Sequence, residues 1–251
     1  MKNKLTKFAI IAMLALASTL VLQSCSDDND NPQPEIAIKI SKDIALGNLL
    51  TDGKGKTLYF SEKDVAGTSN CSGGCAGVWP AFYQEELITG PGLDYSLFGT
   101  ITRADGKKQN TYKGWPLYYF AQDAAPGETK GDNKNGFFAA KPDYSVFFGN
   151  TGSGRYLVDA TGNTLYTFEN DANDISNCNG GCATVWPSFF VEPPVVPSAL
   201  SLTDFYKITR SDAKQQITFK KKPLYFFNQD LARGDAKGNA ANAKFKVVTA
   251  N

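Results

Sequence analysis

The residues best able to do chemistry in this chain are four cysteines in two pairs of one spacing, Cys71 with Cys75 and Cys178 with Cys182. Three chemistries suit such pairs. In an oxidising compartment, an even count at repeated spacing predicts disulfides. Across roughly one helical turn the Cα atoms would stand about 6 Å apart, within bridging range. As thiolates, the four could together form one tetrahedral zinc site, but a duplicated chain descends from a single copy holding only half of it. As a reducible bridge, a pair could exchange with other thiols. No Lys, Arg or His lies inside either motif to stabilise a thiolate. Structural disulfides are therefore expected, with redox exchange as the rival and no metal assigned.

The next candidates are Tyr and Asp. Tyr59 with Asp64, Tyr118 with Asp123, Tyr166 with Asp171 and Tyr225 with Asp230 repeat one pattern: Tyr, four residues, Asp. Phe120, Phe168 and Phe227 stand two residues after their Tyr, where the first copy has Ser61. Two roles are open. The Tyr packs on a sheet with its hydroxyl bonded while the Asp caps the turn that follows. Alternatively, the four carboxylates act as Ca²⁺ ligands, and the cluster Glu169, Asp171, Asn173 and Asp174 enriches the second half for this. Lys63 and Gly67 occupy the positions of Asn170 and Asp174, so such a site would be asymmetric. Nothing marks one acid as special for glycoside hydrolysis.

Absences narrow the chemistry further. The chain has no histidine, and its two methionines, Met1 and Met13, both fall in an apolar leader. The usual general base of Ser and Cys nucleophiles is missing, as are the usual ligands of haem iron, blue copper and catalytic zinc. No cofactor and no catalytic residue is assigned.

These residues must be held by repeated elements. Shifting the chain by 107 residues superposes Leu58-Tyr59 on Leu165-Tyr166 and Ser69-Asn70-Cys71 on Ser176-Asn177-Cys178. It also superposes Val78-Trp79-Pro80 on Val185-Trp186-Pro187, Ile101-Thr102-Arg103 on Ile208-Thr209-Arg210, and Gln122-Asp123 on Gln229-Asp230. The reading is two tandem modules, 40–146 and 147–251. Short alternating runs joined by Gly, Asp and Pro turns predict a mainly β fold of antiparallel sheets. Each module carries one short helical segment, over 74–82 and 181–189, ended by Pro80 or Pro187 and stapled by its disulfide. Trp79 and Trp186 recur in both copies and are read as core. Trp115 stands where the second module has Lys222, so it is read as lying outside the essential core: either an ordinary surface or interface aromatic, or an exposed stacking face for a sugar or a partner.

The N-terminus is read as targeting. Lys2, Lys4 and Lys7 precede an apolar run over 8–22, and Leu22-Gln23-Ser24-Cys25 follows. Residues 1–24 read as a signal peptide, and the cysteine resembles the acylated first residue of a bacterial lipoprotein, Cys25. Residues 25–39 form an acidic and Pro-containing tether. Its run Ser26-Asp27-Asp28-Asn29-Asp30 resembles the surface-export signal of Bacteroidetes lipoproteins. The leader holds three Lys and no acid, so its removal takes the net charge from +1 to −2. A near-neutral chain with no basic run gives no reason to expect nucleic acid as a partner.

Tandem Leu-Tyr-x-Phe-x-x-Asp segments with Ser-Asn-Cys-x-Gly-Gly-Cys-Ala-x-Val-Trp-Pro between them resemble the lipoprotein family with a Tyr-x-aromatic-x-x-Asp motif, the secreted repeat of unknown function. The resemblance implies a secreted or lipid-anchored repeat protein and supplies no reaction or ligand. The expectation is a non-enzymatic outer-membrane lipoprotein, facing outward, whose partners are the membrane through its lipid and an envelope protein or glycan. A thiol-disulfide or electron-transfer accessory and a calcium-dependent binder are the alternatives.

Overall fold

The computed structural model describes residues 35–152 and 154–250. The segment read as a signal peptide, Cys25 and most of the expected tether lie outside the described residues. The described residues fold as one compact unit.

The chain opens with a hairpin of β1 (Ile38–Asp43) and β2 (Gly47–Asp52), in register from Ile38↔Asp52 to Asp43↔Gly47. Asp43 shapes the turn: its Oδ1 accepts from the Ala45 and Leu46 amides, the short-range bonding that suits Asp to turns. β1 begins inside the segment expected to be tether. Ile38 is fully buried, and that apolar burial draws the end of the linker into the fold. After β2 come β3 (Tyr59–Ser61), α1 (Gly74–Val78), β4 (Phe98–Thr102), β5 (Lys108–Tyr112), β6 (Trp115–Pro116) and β7 (Phe137–Ala139). The second copy repeats the order: β8 (Val146–Asn150), β9 (Arg155–Asp159), β10 (Tyr166–Phe168), α2 (Gly181–Val185), β11 (Phe205–Thr209), β12 (Gln215–Phe219), β13 (Lys222–Pro223), α3 (Gly238–Ala241) and β14 (Phe245–Val247).

The fold is mainly β, built of several small antiparallel sheets with two Cys-x-x-x-Cys disulfides beside short helices. β3 pairs with β7 and β10 with β14, so each copy closes its last strand onto its first motif. The three-stranded sheets β4-β5-β6 and β11-β12-β13 turn sharply between their last two strands. Those turns place Lys113 and Gly114, or Lys220 and Lys221, at positive φ, as a two-residue type I′ hairpin requires. The helices are shorter than expected. The chain leaves each at Trp79 or Trp186, and Phe82 and Phe189 are already extended, bonded to the Leu117 and Leu224 carbonyls.

One apolar core runs through both copies, joining Phe60, Trp115 and Phe138 to Phe147, Leu157 and Ile217. Two smaller clusters lie under the disulfides, around Trp79 and around Trp186. The offset between copies is 107 as far as Gly131 and Gly238, which each bond a Tyr hydroxyl. It is 108 at Phe137 and Phe245, whose rings stack on equivalent Trp rings. The extra residue falls where the second copy forms α3.

Candidate functional site

The Tyr and Asp of one motif do not bond each other. Tyr59 and Tyr118 pair through their backbones in both directions, at 2.8 and 3.0 Å. Each hydroxyl then crosses to the Asp of the other segment: Tyr59 to Asp123 and Tyr118 to Asp64, both at 2.5 Å. Tyr166 donates to Asp230 at 2.6 Å and Tyr225 to Asp171 at 2.7 Å. The second oxygen of each Asp accepts a loop amide, from Asn70, Lys130, Asn177 or Lys237. Four motifs thus form two reciprocal clasps, each with an approximate two-fold relation. A clasp holds two segments and two loops together, which explains why neither residue varies among the four copies.

Burial sets the electrostatics. Asp64 is fully buried, and its pKa rises to about 6 because desolvation outweighs the hydrogen bonds from Tyr118 and Asn70 and the charge of Arg103. Burial likewise raises Asp123, Asp171 and Asp230. It also pushes the four Tyr hydroxyls well above their ordinary value, so they remain donors.

Under each clasp lies a buried Arg whose role sequence reading did not find. Arg103 donates to Ser69, to Gln109 and to the Cys71 carbonyl. Arg210 repeats this toward Ser176, Gln216 and the Cys178 carbonyl. The identity of Ile101-Thr102-Arg103 with Ile208-Thr209-Arg210 was the available signal. A buried guanidinium needs several acceptors, and these come from the disulfide loop and the next strand.

Cys71 bonds Cys75 and Cys178 bonds Cys182, with Cα separations of 5.3 and 5.2 Å. Cys71 and Cys178 are buried, while Cys75 and Cys182 are half-buried. The sulfurs are thereby committed to bridges rather than to a shared zinc site. Among the described residues no cluster of three or more Cys, Asp or Glu side chains could hold a metal ion.

Trp115 requires a correction. It is buried, 2% exposed, and offers no face to a ligand. Its Nε1 donates to the Ala160 carbonyl at 2.9 Å, Phe147 packs edge-on against it, and the Arg233 guanidinium lies 4.9 Å from its ring centre. Trp115 belongs to the first copy and its three partners to the second. The Trp/Lys difference marks the seam between copies, since the first copy's face is covered by the β8–β9 hairpin. Arg233 also donates to the Val65, Lys113 and Thr161 carbonyls. Its counterpart at the 107-residue offset is Pro126, a difference between copies as informative as the one at Trp115.

Among the open concavities of the described residues, two grooves lie at matching places beside the disulfides. In the second copy a groove of about 700 Å³ is walled by Phe168, Cys182, Trp186, Phe227 and Phe245, with Asn170, Gln229, Asn242 and Lys244 on its rim. In the first copy the groove is about 360 Å³, lined by Ser61, Lys63, Cys75, Trp79, Asn135 and Phe137. The floors share a stack: Trp79 on Phe137 at 3.9 Å and Trp186 on Phe245 at 3.6 Å, both nearly parallel. Gly131 and Gly238 let the backbone pass under each Trp, since a Cβ there would come within 2.9 Å of the indole.

A family model described as a secreted repeat of unknown function matches residues 41–82, 99–140, 149–189 and 207–249. Each span carries one Tyr-Asp motif, so one clasp joins two spans. Comparison with curated proteins and with solved structures found no significant match. No helix among the described residues is long and apolar enough to cross a membrane.

Proposed function

The chain belongs to the secreted repeats of unknown function, and from that membership we propose a non-enzymatic binding protein of the outer membrane, anchored through Cys25 and facing outward. In this reading residues 25 to about 37 are a tether, and the two modules carry the binding surface. The observation that carries the reading is the recurrence of a groove beside the disulfide in both copies, larger and more aromatic in the second. The clasps leave this surface rigid while their own carboxylates face inward, engaged with Tyr hydroxyls and loop amides. A largely preformed concave site with an apolar floor and a few polar groups is the usual form of a small-ligand site.

Two experiments test this reading. Growth with labelled palmitate should mark the wild-type chain and leave Cys25→Ser unmarked, and protease added to intact cells should remove the protein. Titration of the ¹⁵N-labelled chain with envelope polysaccharide and peptide fractions should shift amides of residues 168–170 and 241–245. Shifts confined to other surfaces would refute the groove as the site.

The half-buried Cys75 and Cys182 sulfurs, each on a groove wall, favour a second reading as a thiol-disulfide accessory. Alkylation across a glutathione and dithiothreitol series separates the two. Potentials below roughly −300 mV mark inert staples, and values near −200 mV mark exchangeable bridges.

A further inference from the structure

Building on the groove reading, we propose that the groove of the second copy takes a neutral sugar ring, seated on Phe168 and held by the amide rim. Four rings form a continuous stack. Phe168 lies 4.4 Å from Phe245 at 13°, Phe245 lies 3.6 Å from Trp186 at 3°, and Trp186 lies 4.5 Å from Phe227 at 28°. The inner three are buried and Phe168 is half-buried at the open end. The platform is therefore fixed before a ligand arrives, so little ordering entropy remains to be lost there. A pyranose presents an apolar C–H face and a ring of hydroxyls, the complement of an aromatic face bordered by groups that both donate and accept. Asn170, Gln229 and Asn242 supply such groups, because each primary amide carries two donors and an acceptor, and all three are exposed at the rim.

Charge narrows the class. The lining contains one cation, Lys244, and no carboxylate, so nothing there matches a strongly charged ligand. The comparison between copies isolates the specialisation. Trp, inner Phe and disulfide are common to both grooves. Phe168 replaces Ser61 and Asn170 replaces Lys63, which lengthens the stack and puts an amide in place of a lysine at that point of the rim, while Lys244 keeps one cation in the lining.

The test uses the secreted chain carrying Cys25→Ser and follows the Trp186 indole and neighbouring amides by NMR. Cellohexaose, mannohexaose and chitohexaose are the sugar probes, with an apolar hexapeptide of leucine and phenylalanine as the contrast. At least one hexasaccharide should shift Trp186 together with residues 168–170 and 241–245. Phe168→Ser, the first copy's own solution at this position, should weaken that binding ~10-fold, and Phe168→Tyr should keep it within ~3-fold. If the peptide moves these signals and no hexasaccharide does, the sugar assignment fails while the groove stands. If neither moves them, the groove reading fails as well. Sugar binding unaffected by Phe168→Ser would also overturn the proposal.

Discussion

At the scale of single residues, the chemistry of this chain is turned inward. Asp64 is the clearest case. A carboxyl raised from its ordinary value to about 6 binds its proton more readily in the folded chain than in the unfolded one. Its contribution to stability is therefore fully present below about pH 4 and is lost as pH rises to about 6. The expected outcome is a wild-type stability that falls by up to ~3 kcal/mol between those limits relative to Asp64→Asn. Paired denaturant titrations measure this, and parallel profiles for the two proteins would refute it. Trp115 gives a prediction of opposite character from the one its sequence context suggested. Trp115→Ala should cost ~3–5 kcal/mol through the cavity it leaves and should not alter ligand shifts at the second groove. Both Tyr and Asp of the motif were legible in the sequence, and so was the bonded-Tyr role. Their exchange between segments was not, because spacing within one motif says nothing about which copy lies opposite. The seam was half legible: Trp115 against Lys222 stood out, but exposure was inferred where a neighbouring copy supplies the burial.

At the scale of elements, backbone geometry explains where the copies diverge. The β5–β6 turn uses Gly114 at positive φ and the β12–β13 turn uses Lys221. A side chain costs roughly 1 kcal/mol in that region. Gly114 is required because Arg233 lies over it, and a Cβ would come within 2.8 Å of the guanidinium. Lys221→Gly should therefore be neutral or stabilising by ~0.5 kcal/mol, since relief of strain is partly offset by unfolded-chain entropy. Gly114→Lys should destabilise by ~1–3 kcal/mol by displacing Arg233 from its carbonyls. Thermal melts of the two variants check the asymmetry, and equal effects would contradict it. The disulfides are local in the same sense. Each closes five residues, so Cys71→Ser with Cys75→Ser should cost only ~2 kcal/mol and leave a folded chain by circular dichroism. Hairpins, turns and short helices could be read from Gly, Asp and Pro placement. The pairing of β3 with β7 and of β10 with β14 could not, because three-residue strands carry too little alternation to announce a partner far along the chain.

At the scale of the molecule, two levels of repetition have different physical meanings. The 107-residue copies share one core through Phe60, Trp115 and Phe147, and Arg155 bridges to the buried Glu62 at 2.6 Å. They should melt together: calorimetry of the secreted chain is expected to show one transition with matching calorimetric and van't Hoff enthalpies. Two resolved transitions would show independent modules. Below that level, the half-copy with one Tyr-Asp motif is the unit the family describes, and the structure makes it incomplete alone. Its Tyr lacks the carboxylate it bonds, and its Asp keeps only the loop amide, until a second motif faces it. The central claim is that these eight residues are two structural clasps, which leaves binding to the grooves. Double-mutant cycles address it most directly, using urea unfolding of Tyr59→Phe with Asp123→Asn and of Tyr59→Phe with Asp64→Asn. Coupling of ~1–3 kcal/mol is expected for Tyr59 with Asp123, and less than ~0.5 kcal/mol for Tyr59 with Asp64, its partner in sequence. Strong coupling inside the motif, or none across the pair, would contradict the account.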